Sequence, residues 1–307
     1  MDLPLQILSY LFQRLDRTEV YEMAIGIVSS VAMTGRILLL GYERIVFKQA
    51  SKDHDTLIST FWLFFLAAVF QIPLLFFYSW TIGNILSAAL SAAIYTITFS
   101  LYVYALSHYE VSLVTPFYNF NVFFLLLLSV LFLQEPFTWW KLGGIVLLFY
   151  GTTFLERDHN LWSSIKAVYR NRGCQLMILS SLLMAVGRIN DRRMIETTHP
   201  AVYSFALYFM MGVYLIVIIA IQGKLKPLWH TFRESPKPYL LGGATNAYSY
   251  LFMLLAFTEM DVSVAEPLSM LSVLLTMVLS AWILKERVQH RLIGGFFMVL
   301  GAILLIV

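Results

Sequence analysis

Apolar residues run along this chain in blocks of about twenty, with charges, prolines and glycines gathered between them. Stretches such as FFLLLLSVLFL and FFMVLGAILLIV are continuous and lack the period-two alternation of a lipid-facing β-strand. A bilayer core about 30 Å thick takes about 20 apolar residues per helical span. Dividing the chain at its charges, Pro and Gly predicts ten spans, near 23–48, 56–78, 84–107, 112–133, 139–155, 174–196, 200–222, 238–258, 263–284 and 290–307. The expected fold class is an all-α polytopic membrane protein with ten transmembrane helices.

Composition agrees. The 307 residues are 59% hydrophobic and 13% charged, with a mean hydropathy of +0.75, whereas soluble domains carry roughly 25% charged residues. Trp80, Trp139, Trp140, Trp162, Trp229 and Trp282 fall at span ends or in connections, where an indole keeps its ring in hydrocarbon and its N–H in water. Residues 1–22 lack the basic region and cleavage site of a secretory signal and are read as an interfacial segment. The single cysteine, Cys174, excludes an internal disulfide and a thiolate cluster, and the six histidines lack ligand spacing. No cofactor and no metal is expected. The net charge of +3 is accounted for by interfacial Lys and Arg, so nucleic acid is not an expected partner.

An internal duplication organises the spans. Residues 105–144 align without a gap on residues 256–295, with Pro116 on Pro267, Ser129 on Ser280, Glu135 on Glu286 and Gly143–Gly144 on Gly294–Gly295, at one offset of 151. Chance matching in apolar sequence repeats Leu, not Pro, Glu and Gly-Gly in register. SSVAMTGRI (29–37) likewise recurs as SSLLMAVGRI (180–189). The expected organisation is an interfacial segment (1–22), a five-helix repeat (23–155), a polar linker (156–173) and a second five-helix repeat (174–307). An odd number of spans per repeat inverts the second half, the plan by which many secondary transporters form a midplane site with alternating access.

The motifs VAEPLSMLSVLLTMVLSAWILKERV and LIGGFFMVLGAILL, with EP at 266–267, KER at 285–287 and Gly-Gly opening the last span, resemble the EamA-type domain of the drug/metabolite transporter superfamily. The first half carries the pattern more loosely, as TPFYNFNVFFLLLLSVLFLQEPFTWWKLGG. The resemblance implies inverted five-helix repeats, with helices 1–4 and 6–9 around a central cavity and helices 5 and 10 peripheral. Members move amino acids, other metabolites, nucleotide sugars, sugar phosphates or amphiphilic cations, and no family-wide catalytic motif carries over. Glu135 and Glu286 are read as structural groups at helix ends. The sequence departs from the family pattern where a WGS-like element is replaced by GYERIVFK (41–48), matched in helix 6 by GRINDRRM (187–194).

Those two segments put charge at bilayer depth, where an Arg costs about 2.5–3.5 kcal/mol on insertion scales and normally faces a bundle interior or a wet cavity. Arg36 and Glu43 are seven residues, two turns, apart and share a helix face, as do Arg188 and Asp191. The functional reading has Arg36 and Arg188 binding an anionic or zwitterionic substrate. Glu43 and Asp191 then hold the arginines, accept an ammonium group or take a coupling proton. The structural reading makes all four internal ion pairs, and it is favoured for Arg44, Lys48, Arg192 and Arg193, which reach the interface. Glu266 beside Pro267 is a further candidate coupling group. Tyr118, Asn119, Asn121, Asn246, Tyr248 and Tyr250 are candidate ligand or wall residues, with interhelical bonding and packing as the alternative.

The expected function is secondary transport or export of a small polar metabolite, anionic or zwitterionic, by alternating access. A nucleotide-sugar or phosphorylated-metabolite carrier is one alternative, and a non-transporting scaffold or sensor of the same fold is another. No Ser/His/Asp set, metal cluster or phosphate loop supports an enzyme. The expected partners are a small-molecule substrate and the lipid bilayer, with a homodimer left open. The expected location is a membrane, the cytoplasmic inner membrane in a bacterium. Thirteen Lys and Arg lie on the side opposite the termini and five on the terminal side, which by the positive-inside rule puts both termini outside.

Overall fold

In the computed structural model, residues 17–51, 54–109, 117–155, 171–283 and 292–306 are described. Among them there are helices and no strands: α1 Arg17–Ser51, α2 Thr56–Gln71, α3 Ile82–Ser87, α4 Ala89–His108, α5 Asn121–Phe132, α6 Trp139–Leu155, α7 Arg172–Met194, α8 Pro200–Ile221, α9 Lys226–Glu234, α10 Pro236–Phe257, α11 Val262–Ser269, α12 Ser272–Ile283 and α13 Leu292–Ile306. Five stretches among the described residues are long and apolar enough to cross a bilayer: Thr56–Phe76, Ile82–Tyr102, Arg172–Met194, Pro200–Ile221 and Pro236–Phe257. The protein is an integral membrane protein. α1 begins at Arg17, so part of the segment expected at the interface continues the first helix; residues 1–16 and 156–170 lie outside the described residues.

Local chemistry sets the helix boundaries. The Asp55 carboxylate accepts the N–H groups of Leu57 and Ile58 and caps α2. Pro73 then turns its end into the 3-10 helix Ile72–Phe76. Thr81 and Asn84 form a reciprocal capping box at α3. Pro200 and Pro236 occupy the first turns of α8 and α10, where a missing N–H leaves no ladder bond unmade.

Two spans are broken at equivalent positions. Turns at Asn119–Phe120 and at Met270–Leu271 precede α5 and α12, and these pairs are 151 residues apart, the offset of the duplication. Both breaks are 3-10 in character. Phe120 N–H donates to Phe117 O at 3.3 Å and Leu271 N–H to Leu268 O at 3.0 Å. Pro267, inside α11, lacks the N–H that would bond Ser263 O, so the ladder is already weakened one turn before the Met270–Leu271 break.

Helix pairing follows the same exchange. α1 packs on α10 and α12, while α7 packs on α4 and α5; α2 packs on α8 and α10, while α8 packs on α2 and α4. The outer pair, α6 and α13, crosses where Gly144 meets Gly301 and Gly151 meets Gly294. Residue numbers rise along one helix as they fall along the other, so the pair is antiparallel. A Cβ on Gly144 would lie 2.7 Å from the Gly301 carbonyl oxygen, and one on Gly151 would lie 2.6 Å from that of Gly294. α2 and α8 are antiparallel too: Gln71 Nε2 donates to Ser204 Oγ at 2.7 Å near one end, and Phe65 lies on Gly212 farther along. In a bilayer such close packing, rather than exclusion of water, holds helices together.

The two ends of the bundle differ. Where α1 gives way to α2, amphipathic α9 lays Phe232 against Trp62 with ring centroids 4.6 Å apart, and Lys224 pairs with Asp55 at 2.7 Å. At the other end Glu135 accepts the N–H groups of Val262 (2.7 Å) and Ser263 (3.0 Å), capping α11, and Lys141 pairs with Asp261 at 2.6 Å. Glu135 is thus a helix-end group, as its reading in sequence expected; Glu286 lies outside the described residues. Phe76, Phe77, Trp80, Trp139 and Trp140 are exposed around this second end, the place of an interfacial aromatic belt.

Candidate functional site

The two broken spans face each other across a cavity of 260 Å³ between α1, α2, α4, α7, α8 and α10. The first break contributes Tyr118, Asn119 and Asn121, and the second contributes Glu266, Ser269 and Met270. Arg36, Glu43, Arg188, Asn246 and Tyr250 complete the polar wall, and Phe64, Tyr95, Phe99, Tyr102 and Tyr208 supply aromatic surface. Of the sequence-predicted residues, eight candidates (Arg36, Glu43, Tyr118, Asn119, Arg188, Asn246, Tyr250 and Glu266) are brought to this one cavity, together with Asn121. Asp191 and Tyr248 are not on its wall. Tyr248 points outward and donates to Phe70 O at 3.3 Å.

Asp191 lies behind the wall, toward the α7–α8 end, with no exposure. Tyr95, Tyr203 (2.8 Å) and Tyr250 (2.7 Å) donate hydroxyls to its carboxylate, and Ser91 Oγ donates at 3.1 Å. These groups come from α4, α8 and α10, so one carboxylate on α7 ties four helices. A buried charge persists only when its lone pairs are satisfied in this way.

The two arginines sit in unlike surroundings. Arg188 is held from several sides: Nε lies 3.2 Å from Glu266 Oε2, an Nη donates to Tyr95 Oη at 3.3 Å, and Asp191 Oδ2 is 3.5 Å away. Its guanidinium also lies between the Tyr95 and Tyr250 rings, 5.5 and 5.4 Å from their centroids. Arg36 donates from one Nη to Ser249 Oγ at 2.7 Å, while its Nε–H has no partner. Asn246 lies one turn before Ser249 on α10. Its Oδ1 accepts from Tyr208 at 2.7 Å, and its Nδ2 is also unpartnered.

An unmet buried donor costs about 1–3 kcal/mol. Arg36 Nε and Asn246 Nδ2 are therefore the part of the wall best able to repay a ligand's acceptor atoms. Five ionisable groups are buried here: Arg36 and Arg188 against Glu43, Asp191 and Glu266. Two cations against three carboxylates give a formal charge of −1 with all five ionised.

Arg192 and Arg193 lie away from the cavity. Arg192 pairs with Glu196 at 3.5 Å, and Arg193 donates to Phe132 O at 2.9 Å while lying over its ring. The side chains of Arg44 and Lys48 lie outside the described residues. Sequence reasoning missed Tyr95, Tyr203, Tyr208 and Ser249. A tyrosine in place of phenylalanine at mid-span depth was the available signal, because a buried hydroxyl needs a partner.

A helical membrane protein whose broken spans converge on a charged, aromatic-walled cavity has the form of a membrane carrier. The EamA-like transporter family matches residues 28–157 and again 171–307, and the chain belongs to that family. The chain is a transporter-family protein of the drug/metabolite type. No curated protein matches the sequence. A protein of known crystal structure shares the fold, with a TM-score of 0.70 at 12% identity, over 92% of this chain and 97% of the other.

Proposed function

We propose that this protein is a secondary transporter of a small zwitterionic or anionic metabolite, working by alternating access through ten spans in two inverted repeats. The observation that carries the substrate class is the pair of buried, unpartnered donors, Arg36 Nε and Asn246 Nδ2, on the cavity wall. Together they suit the two oxygens of a carboxylate. Glu43, on the same helix as Arg36, and Glu266, paired with Arg188, bring two carboxylates to the same cavity that suit an ammonium group, so a zwitterion fits better than a phosphorylated dianion. Inversion is supported by the antiparallel pairs α2–α8 and α6–α13, by the matched breaks and by the exchangeable helix neighbours. The Lys and Arg excess at the α1–α2 end orients that end toward the cytoplasm and the termini outside.

Thermal unfolding of the purified protein against a panel of anionic, zwitterionic and cationic metabolites tests this. A ligand bound to the native state alone adds about 2.7 kcal/mol at a hundredfold excess over Kd. The expected result is stabilisation by a zwitterion or monocarboxylate that Arg36→Gln abolishes, with flux of the same compound in vesicles. Stabilisation by cations alone, or an undiminished response in Arg36→Gln, overturns the substrate assignment. Stabilisation without flux makes the protein a sensor.

A further inference from the structure

A second, larger cavity of 720 Å³ lies between α2, α4 and α8 and reaches the α1–α2 end at His54, Asp55 and Gln222. Three side chains, Phe64, Phe99 and Met211, line both this chamber and the inner cavity. They are the side chains that the two spaces share. Phe64 is 4% exposed and Met211 1%, and the Phe64 and Phe99 rings lie 5.1 Å apart at 59°. Shared apolar side chains of this kind stop water and hydrated charge without any ion pair to break.

We propose that the outer chamber is the vestibule of the inner cavity at the α1–α2 end, and that Phe64, Phe99 and Met211 are the barrier a substrate passes between them. This rests on the transport reading above. The linings fit the two tasks. The vestibule is walled by Thr60, Thr96 and Ser100 on one side and by Leu215 and Ile218 on the other, and none of its lining residues is an arginine. The chamber is mostly apolar, and the hydroxyls of Thr60, Thr96 and Ser100 donate to their own helix backbones. A solute therefore passes there without being held by a fixed cation, while the tight contacts lie beyond Phe64, Phe99 and Met211.

The barrier is also linked to the binding wall. Phe64 is stacked on Tyr208 with centroids 5.8 Å apart, and the Tyr208 hydroxyl donates to Asn246 Oδ1 at 2.7 Å. Asn246 is the residue whose Nδ2 awaits an acceptor. A ligand engaging that amide pulls on the side chain that orients Tyr208, and Tyr208 backs the Phe64 ring. Occupancy of the inner site is in this way communicated to the barrier through two side chains.

The test is thiol accessibility in the full-length protein carrying Cys174→Ala, with single reporters at Ser100→Cys in the vestibule and Val122→Cys on the inner wall. A small methanethiosulfonate reagent is expected to modify the vestibule reporter at the same rate with or without Phe64→Ala. Modification of the inner reporter is expected to rise about tenfold or more with Phe64→Ala, because a protected group reacts in proportion to the population of the open form. Phe64→Leu, which keeps an apolar side chain of smaller reach, gives an intermediate rate and serves if the alanine variant fails to fold. An inner reporter equally fast in both backgrounds, or equally slow in both, overturns the assignment. The labelling needs no substrate, so absence of flux with a gated inner thiol would sink the transport reading alone. Ligand stabilisation with an ungated thiol would sink the barrier alone.

Discussion

Arg188 Nε lies 3.2 Å from Glu266 Oε2, and this ion pair joins the middle of α7 to the broken span at α11. Both side chains are nine-tenths buried, so each offsets part of the cost of burying the other. Removing one partner of a buried pair costs about 3–5 kcal/mol, while replacing both by apolar groups is often neutral. Arg188→Leu therefore lowers the unfolding temperature more than Arg188→Leu combined with Glu266→Leu. A double variant as unstable as the sum of the singles would show that the pair does not act as a unit.

Arg36 is the less encumbered arginine, with one guanidinium hydrogen bond among the described residues, to Ser249 Oγ. Arg36→Gln is expected to abolish ligand response with a smaller loss of stability than Arg188→Gln, in side-by-side melts with and without ligand. The reverse ranking would transfer the binding role to Arg188.

Tyr203→Phe deletes a hydroxyl that serves both Ser91 (2.7 Å) and Asp191 (2.8 Å) and leaves the ring in place. The loss is about 1–3 kcal/mol, the cost of an unmet buried acceptor. Tyr248→Phe, at an exposed ring, is the control and changes stability little. Equal melts for the two variants would mean that the Asp191 network adds nothing to stability.

Gly144→Ala and Gly301→Ala each drive a methyl group into the backbone of the facing helix, with 2.7 Å available at each. Overpacking of this kind costs about 1–3 kcal/mol. Gly26→Ala, where a Cβ meets nothing within 4 Å, is the harmless comparison. Unchanged melts for Gly144→Ala would show that the helices can separate without penalty.

Asp55 lies outside the spans. Burial pushes its carboxyl up, but the hydrogen bond from Lys224 and the N–H groups of Leu57 and Ile58 outweigh that and hold it below the usual carboxylate range. A depressed carboxyl adds stability above its unfolded pKa and loses it as pH falls through its folded value. Wild type is therefore more stable than Asp55→Asn near neutrality, and the two melting curves converge in acid. A gap that stays constant down through the acid range would assign the effect to something other than ionisation.

The ionisable groups at bilayer depth were legible because a charge there is too costly to be incidental, and Arg36, Glu43, Arg188 and Glu266 do meet at one cavity. The breaks at Asn119–Phe120 and Met270–Leu271 were not foreseen, since each lies inside a stretch apolar enough to read as one span. Tyr95, Tyr203 and Tyr208 were legible only as buried hydroxyls in need of partners; their spacing is that of packing residues, so the partner, Asp191 or Asn246, came only from the structure. Phe64, Phe99 and Met211 carried no signal at all. Their importance comes from lying between two voids, and a void has no sequence of its own.

The duplication that sets Arg36 opposite Arg188 sets Leu39 opposite Asp191. One end of the bundle is thus fastened by a carboxylate gathering hydroxyls, and the equivalent place at the other end holds an aliphatic side chain. The two halves share a scaffold without sharing a fastening. On the transport reading proposed above, this would make the two exposures of the cavity unequal in energy before any solute or gradient is present.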